Sequence, residues 1–323
     1  MEKSARRRLD EAGETCGCGE GARLEKMKVV ALLNASARLA SREERLEERV
    51  RRLFAGEGIE ADVRTVSGPQ LEPLARAALA SDADAVVVGG GDGSVGCVAG
   101  ALADQDKALG VLPLGTLNHF ARDLGMPSTL DAAVRAIARG TVRRVDVGEV
   151  NGRVFVNNSS IGLYPHALKL REERRARGRN KWIALAAASA GVFLRYPLTR
   201  VRLSTEGRSF SRTTPFVFVG NNRYDFTLLM PRRASLEEGL LYVYVAGHHS
   251  RAGILLLAQR ALAGRLEQAR DLELFTVCEV MVEPSRPWVQ VALDGEAVAM
   301  KSPLRYRIRP QALRVIVPRK TVE

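Results

Sequence analysis

The chain has 323 residues, enough for one large or two ordinary domains, and its 46% apolar content is that of a globular protein, not a disordered or fibrous one. A net charge of +12 reads either as a solvated, arginine-rich surface or as the mark of an anionic partner; aromatic residues are only 5% and no nucleic-acid recognition motif is present, so among partners an acidic membrane face is expected and nucleic acid is not. Four scattered cysteines make no disulfide framework and fit a reducing cytoplasm, and no His or Cys cluster accompanies Cys16 and Cys18 to complete a metal site.

Residues 1–25 are charged and have no apolar core, so they read as a flexible extension and not as a signal peptide. Lys28 to Asn34 is the first strand, and Ser41 with Glu44 forms a capping box for a helix reaching about Phe54. Residues 59–65 predict a strand, 70–80 a helix and 84–88 a third strand. That strand runs into Gly89-Gly90-Gly91-Asp92-Gly93-Ser94, with a helix expected from Ser94 to about Ala103. Glycines let a backbone turn sharply and approach an anion, and a helix N-terminus points its amides and positive dipole end at the same place. The expected result is a phosphate cradle built by Gly90, Gly91, Gly93 and Ser94. Asp92 would repel phosphate unless a cation intervenes, which suggests Mg²⁺-bound nucleotide phosphates. Gly91 to Gly96 also matches G-x-G-x-x-G, but the next strand, 109–112, ends without the acid that a dinucleotide site needs. No G-x-x-x-x-G-K-[ST] loop is present, which disfavours a P-loop enzyme.

The strand at 109–112 opens a second turn, Pro113-Leu114-Gly115-Thr116-Leu117-Asn118-His119-Phe120-Ala121-Arg122-Asp123. Thr116 can cap the following helix or reach a phosphate, and Asn118 offers a donor and an acceptor. Two such turns at the C-terminal ends of neighbouring strands are where open α/β sheets place ligands. A helix from Leu130 to Arg139 completes an alternation that predicts a parallel sheet covered by helices. Beyond Asp146 the pattern changes to strands at 154–156, 201–203, 216–219, 241–244, 278–282 and 289–293, a mostly antiparallel domain. Two helical segments interrupt it: Trp182 to Leu194, which follows the basic stretch 169–181 and is too short to span a bilayer, and Gly253 to Ala263, which follows His248 and His249. Asp294-Gly295 reads on its own as a hairpin turn.

Taken together, Gly90 to Ser94 and Pro113 to Pro127 resemble the GGDGT and PxGTxNxFAR…G-P blocks of the lipid kinases related to diacylglycerol kinase and sphingosine kinase. Val145 to Val150 with Asn157 to Gly162, the turn Ala234 to Leu241, and Leu293-Asp294-Gly295-Glu296 resemble further family blocks in the same order, so the resemblance covers about 27–317. It departs at Gly96 and Cys97, where the family usually carries Asn-Glu, at His119 and at Glu238, where Asp is usual, and after Asn34.

The resemblance implies a Rossmann-like α/β domain over 26–144 and a β-sandwich acceptor domain over 145–323, whose end at about 305–318 returns to the first domain. It implies an ATP- and Mg²⁺-dependent kinase of phospholipid metabolism that phosphorylates a lipid hydroxyl, diacylglycerol or a relative. Asn34, Gly90, Gly91, Asp92, Gly93, Ser94, Gly115, Thr116 and Asn118 would hold the nucleotide, with Asp92 toward Mg²⁺. Asp294 would be the base and Glu296 its neighbour, and Glu237 and Glu238 are candidates for a structural Mg²⁺. A cytoplasmic protein peripheral to the inner membrane face is expected, as is a homodimer. The alternatives are a non-catalytic nucleotide-binding regulator and a dinucleotide-binding oxidoreductase.

Overall fold

The computed structural model describes residues 27–37, 45–162, 198–225, 232–246 and 272–319. The tail at 1–25, the capping box at Ser41 and Glu44, the stretch 169–194, His248, His249 and the helix at 253–263 lie outside the described residues.

In chain order the first half comprises β1 (Lys28–Asn34), α1 (Leu46–Gly56), β2 (Glu60–Val66), α2 (Gly68–Leu79), β3 (Ala85–Gly90), α3 (Asp92–Leu102), β4 (Ala108–Pro113), α4 (His119–Asp123) and α5 (Leu130–Ala138). Only strands follow among the described residues: β5 (Thr141–Val150), β6 (Arg153–Phe155), β7 (Asn158–Gly162), β8 (Thr199–Thr205), β9 (Arg208–Thr214), β10 (Phe216–Asn221), β11 (Tyr224–Asp225), β12 (Arg232–Arg233), β13 (Leu241–Ala246), β14 (Leu272–Val277), β15 (Glu279–Pro284), β16 (Trp288–Leu293), β17 (Glu296–Lys301) and β18 (Leu304–Val317).

The local chemistry explains the elements. All six residues of β3 are buried, as its continuous apolar run requires of a central parallel strand. α1 buries Leu46, Val50 and Phe54, spaced one helical turn apart, against the sheet and α5. α2 begins at a capping box between Ser67 and Gln70. Strands β2, β1, β3 and β4 run parallel in that order. β18 then pairs in parallel with β4 through Val315 and Leu109, and antiparallel with β5 and β15. This 14-residue strand shifts register between Arg309 and Leu313, where Gln311 takes a positive φ of 50°. One sheet of ten strands therefore runs from β2 through β18 to β15, β8 and β9. A second, antiparallel sheet has the order β14-β13-β10-β7-β16-β17. Val150, Phe155, Leu203, Val219, Val243, Val282 and Tyr306 fill a core of the strand-rich half. The fold is thus an open α/β sheet joined to an antiparallel sandwich.

Some boundaries differ from the sequence reading. β3 continues through Gly90 because the ladder with β4 extends to Gly90 and Pro113, and α3 starts at Asp92, not Ser94. β7, β9, β14 and β17 are strands that the apolar patterns did not reveal. β7 is rich in Asn and Ser yet has three buried residues at its centre, and β9 is a polar edge strand.

Candidate functional site

The two glycine turns touch each other. The Gly115 amide donates to the Gly90 carbonyl at 3.1 Å and to Asn118 Oδ1 at 3.0 Å. A Cβ on Gly115 would lie 2.5 Å from Gly91 Cα, so this contact between backbones excludes any side chain. Asn118 sits at φ +50° and its Nδ2 donates to the Pro113 and Gly115 carbonyls at 3.2 Å each, so this side chain shapes the turn. Ser94 is buried, and its Oγ accepts from Asn34 Nδ2 at 2.7 Å. Thr116 is exposed. The first amide of the α3 ladder is that of Val95, bonded to the Gly91 carbonyl, so the amides of Asp92, Gly93 and Ser94 precede it at the helix N-terminus.

Asp92 joins the turns. Its carboxylate accepts from the His119 and Phe120 amides at 3.1 and 3.0 Å and from Asn157 Nδ2 at 3.1 Å. It therefore caps α4, which is one of the two roles that the sequence leaves open to Thr116. A carboxylate serves two successive amides and the positive helix end at once, which one hydroxyl cannot do.

Behind this contact lies a buried network that the sequence reading did not identify. Asn157 Oδ1 accepts from Arg233 Nη2 at 2.8 Å, and Arg233 Nε donates to Asp123 at 2.7 Å. The Arg233 and Asp123 side chains are 0% and 4% exposed, so this ion pair is fully withdrawn from water. The Arg233 guanidinium also lies near the rings of Phe120 and Tyr224. The only sequence signal was a basic pair, Arg232-Arg233, ahead of the acidic turn.

Asp294 and Glu296 come from the opposite half. Asp294 and Gly295 take positive φ values of 47° and 87° between the paired residues Leu293 and Glu296, so the segment is a two-residue hairpin turn. The turn also points a carboxylate inward: Asp294 accepts from the Val156, Asn157 and Asn158 amides at 2.8, 2.7 and 3.2 Å. Burial raises its pKa from 3.8 to about 7; the three amides oppose the rise and the Asp92 charge adds to it. Asn157 thus links both acids, by its side chain to Asp92 and by its backbone amide to Asp294. The Glu296 carboxylate lies over Gly93, and that of Asp294 lies over Gly96. The hairpin turn and the first turns of α3 therefore meet face to face.

The acidic turn at 234–241 reaches this network through Asn221, whose Nδ2 donates to the Asp146 and Val156 carbonyls at 2.9 Å each. Glu237 is ion-paired with Arg143. Glu238 Oε2 is buried without a hydrogen-bond partner, as are both amide atoms of Asn222, whose backbone amide donates to the Leu240 carbonyl at 3.0 Å. Asp146 clamps the turn, accepting from the Gly239 and Gln311 amides at 2.7 and 2.8 Å. Among the described residues no group of three or more His, Cys, Asp or Glu could hold a metal by itself, and no helix is long and apolar enough to cross a membrane.

The chain and its fold have known counterparts. Residues 28–150 match the diacylglycerol kinase catalytic domain, and 165–317 match the YegS C-terminal NAD kinase beta sandwich-like domain. A Bacillus subtilis diacylglycerol kinase is 27% identical over 276 residues, 83% of this chain and 89% of its own. A probable lipid kinase YegS-like of Pectobacterium atrosepticum is 30% identical over 258 residues, 73% of this chain and 79% of its own. The crystal structure of a putative diacylglycerol kinase from Bacillus anthracis superposes with a TM-score of 0.72 at 20% identity, covering 94% of this chain and 99% of that one. With both domain models matched in order, and with relatives covered over most of their length, the chain belongs to the diacylglycerol kinase-like family of lipid kinases.

Proposed function

We propose that the protein transfers the γ-phosphate of ATP to a lipid hydroxyl, with diacylglycerol or a related lipid as acceptor. The observation that carries this reading is the Asp294 carboxyl, buried against the first turns of α3 with its pKa raised to about 7, where α3 follows the glycine turn of β3. The bare backbone at Gly91 and Gly115 and the leading amides of α3 suit nucleotide phosphates. Bound with the nucleotide, Mg²⁺ would neutralise phosphate charge. Asp92 would lie toward that cation, through carboxylate lone pairs left by its three amide donors or through water. Asn34, Ser94, Thr116 and Asn118 would complete the nucleotide side, the first two and Asn118 chiefly by holding the turns in shape.

At Asp294 the acceptor O–H proton passes to the carboxylate as the new O–P bond forms. The bond from the γ-phosphorus to the bridging oxygen breaks and ADP leaves. Glu296, at the head of α3, would steer the acceptor and phosphates. Glu238, with its unpartnered oxygen, would supply a structural cation site together with neighbouring carbonyls, whereas Glu237 is held by Arg143. Work on an anionic cytoplasmic membrane face accords with the +12 charge.

The test is labelled phosphate transfer from ATP to a total lipid extract in the presence of Mg²⁺, with the product identified. A labelled lipid phosphomonoester is the expected result. ATP binding without transfer to any lipid would favour the second reading, a nucleotide-binding regulator, to which Gly96 and Cys97 in place of Asn-Glu lend support.

A further inference from the structure

We propose that Gly96 is a positioning residue that seats the Asp294 carboxylate on α3, so that the helix facing the phosphates also fixes the base. The inference rests on the proposed role of Asp294. Gly93, Gly96 and Gly100 lie three and four residues apart and so share one face of α3. Each meets a different neighbour. A Cβ on Gly100 would sit 3.6 Å from Val154 Cβ, an ordinary contact. A Cβ on Gly93 would strike the Glu296 carboxylate, but that side chain is exposed and long enough to swing aside. A Cβ on Gly96 would strike Asp294 Oδ2, and Asp294 has nowhere to go. Its side chain is short and only 8% exposed, it accepts three amide hydrogen bonds, and its backbone is fixed at φ +47° in a two-residue turn. The family's usual Asn would put a Cβ at this position, so the close seat of Asp294 on α3 is particular to this chain, which uses space that relatives fill with a side chain. A methyl at this point would overlap Oδ2 and push Asp294 back by about an ångström before ordinary contact is restored, and so strip it of amide donors.

The experiment compares Gly96→Ala, Gly93→Ala and Gly100→Ala in the full chain, reading thermal midpoint, Mg·ATP affinity, kcat and KM for the lipid, and the pH–rate profile. Gly96→Ala is expected to lower kcat roughly 10²-fold, on the scale of an ångström-level misplacement. Its Mg·ATP affinity should stay within about twofold, as the first-turn amides are untouched, and its acid limb should move from the wild-type position. Gly100→Ala should match the wild type, and Gly93→Ala should fall between. In an Asp294→Ala background the clash is gone, so Gly96→Ala should fold and cost no further rate. That comparison also serves if Gly96→Ala alone fails to fold. Wild-type kcat and pH profile in Gly96→Ala, or fully additive losses in the double variant, would overturn the proposal. Wild-type turnover in Asp294→Asn would instead remove the base on which it depends.

Discussion

At the residue scale, one carboxyl group combines two environments. Asp294 is buried, which favours its neutral form, yet it accepts three amide hydrogen bonds that favour the charged form, and burial wins with a pKa of about 7. As the base must be deprotonated, kcat/KM should fall as pH drops through about 7, with a slope of one on a logarithmic plot. Asp294→Asn should lose about 10²–10⁴ in rate and still bind Mg·ATP. Steady-state rates and nucleotide titrations on the two proteins check this. The linkage to stability has a definite sign. The folded pKa lies above the unfolded 3.8, so the carboxyl favours folding fully below pH 3.8, and this contribution is lost as pH rises through about 7. Asp92 has a different character, since its oxygens cap α4 and receive Asn157. Asp92→Asn turns an acceptor-only group into one with a donor facing amides. It should therefore lower both turnover, by roughly 10²-fold, and the thermal midpoint. An unchanged midpoint with normal turnover at low Mg²⁺ would rule out both the cap and the metal role.

At the element scale, the site is made by the ends of strands, not by their middles. β3 and β4 are apolar and buried, and each ends in a glycine turn that starts a helix. The turns succeed only in contact, because Gly115 packs on Gly91. Gly115→Ala should therefore separate the turns and weaken Mg·ATP binding by at least tenfold. Gly125→Ala makes a poor comparison because Gly125 takes a positive φ of 74°, but Gly68→Ala, in open space at the start of α2, should leave affinity unchanged. Isothermal titration with nucleotide distinguishes these outcomes. The hairpin of β16 and β17 supplies the opposing wall. Asp-Gly in this pattern announces a hairpin whatever its use, so the turn was legible from the residues, and the direction of its carboxylate was not.

At the scale of the whole molecule, β18 and the Arg233 network make the two halves one unit. β18 pairs with β5 along one edge and, along the other, with β15 near its start and β4 near its end. Arg233 ties Asp123 of α4 to Asn157 ahead of β7 with no exposure to water. Removing one partner of such a pair leaves an uncompensated buried charge, so Arg233→Met should destabilise the protein by about 3–5 kcal/mol. Denaturant melts measure it, and a loss below about 1 kcal/mol would mean that the pair is relaxed by water. The +12 charge bears on surroundings instead of fold. Binding to vesicles should require anionic lipid and weaken with salt, at on the order of 1 kcal/mol per basic residue near the surface. Equal sedimentation with neutral and anionic vesicles would count against a membrane role for the charge.

Periodicity and glycine placement by themselves determined the alternating first half, its two phosphate-type turns and the change to strands near Asp146, since these depend on local backbone needs and on apolar runs. The lipid-kinase family was likewise legible, because its blocks occur in order along the chain. Only the tertiary structure decided that Asp92 caps α4, that Asn157 bridges Asp92 and Asp294, that Arg233 is the buried counter-charge, and that Gly96 meets Asp294. These residues are separated in sequence by tens to nearly two hundred positions. Polar side chains carry no periodic signal that would reveal a distant partner, because the low dielectric that makes each contact strong exists only after the two halves have closed over it.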